Sequence, residues 1–372
     1  MKKVTVLLLV AVLLLSVSLT GCAKPAEPMA EKKEEVSEES APAEEAKELQ
    51  TLNVAHMPYI HSLPTYHGVK SGYIKDTYGL DVNLLMFTSG PAVNEALGAN
   101  EWDIAVYGAP PGIMGGIAHN SKLIAFSVND TATQEIWVRP DNPIAQISGQ
   151  VDGYPEVLGD AETWKGQTVL IPTSTTLYYI LLATLEKLNL TVDQLEVVHM
   201  ETAQAFTAFK AGQGDMVGSW EPFTFAAVDE GWVKVSSGPG IDEFAPVVII
   251  ASEKALAEKP EEIKLWLQSY YDFTDKFGGD DQAVADMMIE MQQENGITTK
   301  PEDAIKLAKV KSLVTKDFIA DQFKGDVGSR QADEIVEKLL NFFLSQGVIE
   351  EDQKAKIAEN GFVHPDIILG LE

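Results

Sequence analysis

The chain has 372 residues, 45% of them hydrophobic, and sets 56 Asp and Glu against 28 Lys and Arg, a formal net charge of −28. A surface this acidic repels nucleic acid and anionic lipid head groups and argues against both as partners, but not against a small anionic ligand, which local donors can hold. Its single cysteine, Cys22, excludes an internal disulfide, so any fold must be held by its core alone.

Lys2 and Lys3 precede a nearly uninterrupted apolar run from Val4 to Leu15, and Leu19-Thr20-Gly21-Cys22 follows. A basic start, an apolar run and a small residue make residues 1–21 a signal segment. The stretch from Val4 to Leu19 falls short of the roughly 20 residues that span a bilayer. Its end resembles the lipobox of bacterial lipoproteins, which implies a lipid-carrying thioether at Cys22 and anchorage in the bilayer. Residues 22–50 then hold nine Glu and four Lys with almost nothing large and apolar. Such a segment reads as a disordered acidic tether, reaching about 30 Å at coil dimensions.

From Thr51 onward the pattern alternates strand and helix signals. The first series predicts strands at Thr51–His56, Leu80–Phe87, Asp103–Tyr107, Lys122–Val128 and Gln134–Arg139, with helices at Tyr66–Tyr78, Pro91–Gly98 and Pro111–His119. A second series places strands at Thr168–Ile171, Leu195–His199, Met216–Ser219, Trp232–Val235 and Val247–Ala251, with helices at Thr176–Leu188 and Ala203–Ala211. Beyond Ser252 the chain reads as almost entirely helical. Alternation of this kind predicts mostly parallel sheets and two α/β lobes with a cleft between them.

Ligands bind at the carboxyl ends of such strands. Three turns there run into helices: Thr88-Ser89-Gly90-Pro91, Tyr107-Gly108-Ala109-Pro110-Pro111-Gly112 and Pro172-Thr173-Ser174-Thr175-Thr176. Free N–H groups at helix starts suit an anion or a ligand acceptor, although Ser89, Thr173 and Ser174 are individually explained as helix caps. None of the three turns carries Lys or Arg, so an anionic head group would rest on neutral donors. Tyr59, Tyr107, Tyr178, Trp220 and Phe223 offer a stacking surface for a neutral or aromatic ligand instead. The spacing of His56, His61 and His67 does not put them on one face of a helix or strand, which speaks against a metal site. No Gly-x-Ser-x-Gly, phosphate-loop or His-Glu-x-x-His motif supports an enzyme, and no cofactor is expected.

Ser89-Gly90-Pro91, Gly108-Ala109-Pro110-Pro111, Trp164-Lys165-Gly166-Gln167-Thr168-Val169 with Pro172 to Thr176, and Trp220-Glu221-Pro222-Phe223 together resemble the binding components of nitrate, sulfonate and taurine ABC importers. The likeness runs over nearly all of residues 51–372. The wider group includes binders of thiamine pyrimidine precursors. The resemblance implies the α/β type II periplasmic-binding-protein fold, in which two lobes are joined by two crossing strands and followed by a helical C-terminal region. It places lobe 1 at 51–138 plus 244–372 and lobe 2 at 139–243, with crossings near Trp137–Pro140 and Glu243–Val247. The implied function is capture of a small ligand such as a sulfonate, taurine or nitrate by lobe closure, for delivery to an ABC permease at the outer face of the membrane. In a two-membrane cell, Ala23 after Cys22 implies the outer membrane, since aspartate would retain the protein inside. A neutral heterocycle is the alternative ligand, because Ala109 stands where sulfonate binders carry an acidic residue. A monomer is expected, and a surface adhesion module is the remaining non-enzymatic reading. The ligand-binding residues implied are His61, Ser89, Gly90, Tyr107, Gly108, Ala109, Pro110, Thr173, Ser174, Thr175, Trp220 and Glu221. Trp220 forms a wall of the cleft, and Glu221 either pairs with a lobe residue or receives a ligand donor.

Overall fold

Ten strands make two five-stranded sheets in the computed structural model, which describes residues 49–372; the expected signal segment, Cys22 and all but the end of the expected acidic tether lie outside the described residues. In chain order the strands are β1 (Leu52–His56), β2 (Val82–Met86), β3 (Ile104–Gly108), β4 (Lys122–Asn129), β5 (Glu135–Val138), β6 (Thr168–Ile171), β7 (Glu196–His199), β8 (Met216–Ser219), β9 (Val233–Ser237) and β10 (Pro246–Ala251). The first sheet has the order β2-β1-β3-β10-β4 and the second β7-β6-β8-β5-β9. In each, three neighbouring strands pair in parallel, from Leu52↔Val82 to His56↔Met86 in the first and from Thr168↔Glu196 to Ile171↔His199 in the second. The fourth strand, β10 or β5, runs antiparallel to both its neighbours.

Those two antiparallel strands are where the chain enters one lobe from the other. β4 ends in the first sheet and β5 begins in the second; β9 ends in the second and β10 begins in the first. The chain therefore changes sheet over residues 130–134 and 238–245. The second change is close to the expected Glu243–Val247. The first comes earlier than Trp137–Pro140, because Trp137 and Val138 already pair with Val217 and Met216 in the second sheet. Alternation shows that a segment is a strand but carries no information on which sheet takes it.

All six residues of β10 are buried, as expected for a strand inside a sheet with both faces covered. The expected helix Tyr66–Tyr78 is two helices, Leu63–Lys70 and Tyr73–Tyr78, because Gly72 between them adopts a left-handed φ of 78° that a continuous helix cannot contain. Helices Pro260–Phe277, Asp281–Glu294, Pro301–Val310, Lys316–Phe323 and Gln331–Ser345 form the C-terminal region, and the first buries Trp266, Leu267, Tyr270 and Tyr271 against the first sheet's lobe. Gln50 is fixed to this region, its N–H donating to Glu262 Oε1 at 2.9 Å. No helix among the described residues is long and apolar enough to cross a membrane.

The second crossing is bracketed by both lobes. Tyr179 donates to Glu243 Oε2 at 2.6 Å, and Lys338 from the C-terminal helices donates to the same oxygen at 2.9 Å. The Tyr179 ring meets Phe342 edge-on at 4.9 Å.

Candidate ligand-binding cleft

The segment after β1, residues 57–62, descends into the space between the sheets and is held there from behind by the C-terminal helices. Tyr270 donates to the His61 carbonyl at 2.8 Å, and its hydroxyl also lies 2.6 Å from Ser127 Oγ. Gln292 donates to the Pro58 carbonyl at 3.3 Å, and Thr299 orients its amide by donating to Oε1 at 2.6 Å. Within the segment, the Met57 N–H donates to Ser62 Oγ at 3.2 Å. Together these bonds hold the turn in one geometry.

A cavity of about 40 Å³ lies between the lobes. Of the residues expected to bind ligand, His61, Ser89, Gly90, Gly108, Thr175, Trp220 and Glu221 line it. Tyr107 does not: it points the other way from Gly108 along β3, is fully buried, and donates to Asn94 Oδ1 at 2.9 Å. Ala109 and Pro110 are buried in the start of helix Ala109–His119, and Pro111 presents itself to the cavity in their place. Thr173 is engaged with His199, 2.9 Å from Oγ1 to Nδ1. Ser174 is exposed, in a left-handed conformation with φ 61°. Thr175 caps helix Thr176–Lys187 by accepting from the Tyr178 N–H, and its hydroxyl donates to the Pro172 carbonyl at 2.7 Å.

His61 is 3% exposed, and neither ring nitrogen has a hydrogen-bond partner in the protein. Burial, aided by the Lys311 ammonium and His56, pushes its pKa from 6.5 to about 3, so the imidazole presents one donor and one acceptor to the cavity at neutral pH. The unfolded chain protonates this histidine below pH 6.5 while the folded protein does not, so its neutrality removes stability as pH falls from 6.5 towards 3. Relative to His61→Gln, the wild type should lose about 1.4 kcal/mol per pH unit in that window. Urea unfolding of both proteins between pH 7 and 4 measures this; a difference independent of pH overturns the assignment. The other two clustered histidines lead elsewhere. His56 Nδ1 lies 3.1 Å from the Leu85 carbonyl, and His67, expected on a helix surface, is half-buried between Phe273 and Phe277.

The three turns carry no cation, but one reaches the cavity from elsewhere in the chain. Lys311, at the end of helix Pro301–Val310, reaches the cavity with its side chain 2% exposed, 2.8 Å from Glu221 Oε1 and 3.5 Å from Asp130 Oδ1. Burial opposes its charge, but Glu221 and then Asp130 outweigh burial and hold its pKa above the ordinary lysine value. Thr133 donates to the other oxygen of Glu221. Glu221 therefore pairs with a residue of the opposite lobe, the first of the two roles open to it. Gln134 donates to Asp130 Oδ1 at 3.3 Å, while its own Oε1 is buried without a partner. Asp130, Gln134 and Lys311 were not legible as site residues: the first two sit in the crossing segment, and Lys311 lies 90 positions from the carboxylate it meets.

Two further bonds tie the lobes together across the cleft. Trp220 donates its indole N–H to Tyr59 Oη at 2.8 Å, the rings meeting at 87°, and Ser89 donates to Glu201 Oε1 at 3.0 Å. Tyr59 and Trp220 also form the inner end of a second, larger groove of about 780 Å³, lined by Met86, Phe87, Phe206, Phe223 and Ile297 among others. The Tyr59–Trp220 pair thus stands between a small inner cavity and a broad outer groove.

A family model described as the NMT1-like family matches residues 45–293, two-thirds of the chain. A protein of Brachyspira hyodysenteriae named as an ABC transporter periplasmic binding protein is 29% identical over 310 residues, covering 83% of this chain and 87% of that protein. Among solved structures, the alkanesulfonate-binding protein SsuA of Xanthomonas axonopodis pv. citri, bound to MOPS, superposes with a TM-score of 0.66 at 15% identity, covering 86% of this chain and all of that one. The desulfurization enzyme DszB shares the fold with a TM-score of 0.59 at 16% identity, over 86% of this chain and 98% of its own. The architecture is therefore that of the periplasmic binding proteins, and it is one that also carries catalysis.

Proposed function

This chain belongs to the NMT1-like family, and from that premise we propose that it is the extracytoplasmic capture component of an ABC importer. It takes up a small ligand between its lobes and presents the closed form to a membrane permease. The single observation that carries this reading is the buried inter-lobe cavity into which His61 turns a neutral imidazole with both nitrogens unpartnered. A binding role is supported over an enzymatic one by the Brachyspira hyodysenteriae relative, which is named as an ABC transporter periplasmic binding protein. The lobes divide at the sheet changes, with residues 51–129 and 246–372 in one and 135–237 in the other. Anchorage through Cys22 keeps the protein beside its permease, and the surface carboxylates flanking the cleft are suited to basic permease loops.

Of the two ligand classes implied by the family, the anion has the weaker support. Lys311 is already committed to Glu221 and Asp130, and prolines at positions 91, 110 and 111 remove N–H donors from two of the helix starts that an anion would use.

A thermal-shift panel of taurine, alkanesulfonates, nitrate, bicarbonate and hydroxymethylpyrimidine-type compounds tests the capture reading. A true ligand at a hundredfold excess over Kd stabilises by about 2.7 kcal/mol and raises Tm in proportion to the logarithm of concentration. A protein that no small molecule stabilises, but that binds a macromolecule, would not be an importer component. Trp220→Phe retains the ring and removes the N–H that meets Tyr59. It should weaken a bound ligand by about 2- to 12-fold, the effect of one net hydrogen bond of about 0.5 to 1.5 kcal/mol, measured by titration calorimetry; an unchanged affinity removes the Tyr59–Trp220 pair from the closed state.

A further inference from the structure

We infer that the ligand is bipartite, with a small cationic, hydrogen-bond-donating head on Asp130 and Gln134 in the inner cavity and a flat apolar body in the outer groove beyond Tyr59 and Trp220. This rests on the capture reading above and names the ligand class of that same site. Three observations converge on it.

The inner cavity offers acceptors in excess. Two carboxylates, Asp130 and Glu221, share one ammonium, and Lys311 lies closer to Glu221 at 2.8 Å than to Asp130 at 3.5 Å, so Asp130 is the less compensated. Gln134, 3% exposed, adds a carbonyl oxygen with no partner, while its N–H group is turned to Asp130. Buried acceptors without donors are costly, and a ligand that supplies donors relieves that cost.

Of the donors, His61 keeps one free N–H, and three others are spent. The Trp220 N–H goes to Tyr59, Ser89 Oγ to Glu201 and Thr175 Oγ1 to Pro172. An anion would add a second negative charge to a buried site that already holds one uncompensated; a cation removes it.

Size then divides the ligand. The inner cavity of about 40 Å³ is well below the about 150 Å³ that accommodates a benzene, so it takes a head group and not a ring. The groove of about 780 Å³ shares Tyr59 and Trp220 with the cavity and presents the rings of Phe87, Phe206 and Phe223, surfaces on which a planar apolar body stacks. Both spaces are lined by the Tyr59–Trp220 pair, and that continuity makes them one site.

Calorimetry and thermal shift on the whole protein, with benzylammonium, methylammonium and phenylmethanesulfonate as probes, test this directly. Benzylammonium is expected to bind at least tenfold tighter than methylammonium, and phenylmethanesulfonate, which carries the same benzyl body, not to bind. Phe206→Ala should abolish the tenfold difference while leaving methylammonium unchanged, and Asp130→Asn should weaken both cations tenfold or more. Phe206 lies on the groove and not in the inner cavity, so its variant keeps the test decisive if Asp130→Asn fails to fold. Sulfonate binding as tight as that of the amine, or no binding of the amine while any compound of the transport panel stabilises the protein, overturns the cationic head and leaves capture standing. Stabilisation by no small molecule of either panel overturns both.

Discussion

Lys311→Met is expected to destabilise the protein by about 3 to 5 kcal/mol, a large part of the 5 to 15 kcal/mol that holds a typical domain. Methionine fills nearly the same volume, so the loss measures charge and not packing. The Glu221 side chain is 1% exposed and the Asp130 side chain 11%, so both carboxylates remain out of bulk water when the ammonium is removed. Thr133 still donates to Glu221, but a neutral hydroxyl compensates a buried carboxylate far less than an ammonium at 2.8 Å. Urea unfolding at pH 7 gives the number. The double variant Lys311→Met with Glu221→Gln should recover a substantial part of the loss, because it removes one of the two stranded charges; the two changes share one contact and will not add. A loss below 1 kcal/mol for Lys311→Met, or no recovery in the double variant, would show that the three groups do not act as a buried cluster.

Gly108→Ala should act on closure and leave the separate lobes intact. Gly108 has φ −59° and ψ 146°, which alanine adopts readily, so β3 and the helix that follows it should form as before. A Cβ there would overlap Thr176 Oγ1, which comes from the opposite lobe, and stand 2.7 Å from Asp130 Oδ2. Both contacts are with side-chain ends, so relief comes from turning the Thr176 and Asp130 side chains out of their places in the cleft or from parting the lobes. Overpacking of this kind costs about 1 to 3 kcal/mol, which corresponds to about a 5- to 150-fold loss of affinity for any ligand held in the closed cleft. Small-angle scattering should show a larger radius of gyration than the wild type, with an unchanged urea midpoint. Adding Thr176→Ala should restore part of both quantities. An alanine variant as compact and as tightly binding as the wild type would mean that Gly108 and Thr176 do not meet in the working closed state.

Much of the fold was legible because it is written in local periodicity. The strand of TVLI at Thr168 and the helix after Thr176 are where alternation and apolar spacing place them. The turns at the strand ends were equally legible, since glycine, proline and hydroxyl residues mark them whatever the surrounding fold. Which side chain of a turn faces the cleft was not. Gly108 faces it and Tyr107 does not, because neighbours on a strand point to opposite sides and the sequence does not say which side is the cleft. Thr175 enters the cavity while Ser174, one residue earlier, turns to solvent in a left-handed conformation.

The sequence by itself determined the two α/β series, the helical tail, the family and the class of loops that line the cleft, since each depends on residues near one another in the chain. Only the tertiary structure decided the character of the cavity. It brought Lys311 from the helical tail to Glu221 across 90 residues, placed Asp130 and Gln134 from a crossing segment beside them, and set Tyr59 against Trp220 at the mouth. Charge balance and size in a buried site depend on which distant groups share it, and no spacing along the chain encodes that. The helical C-terminal region therefore supplies the ammonium that meets the site's two carboxylates.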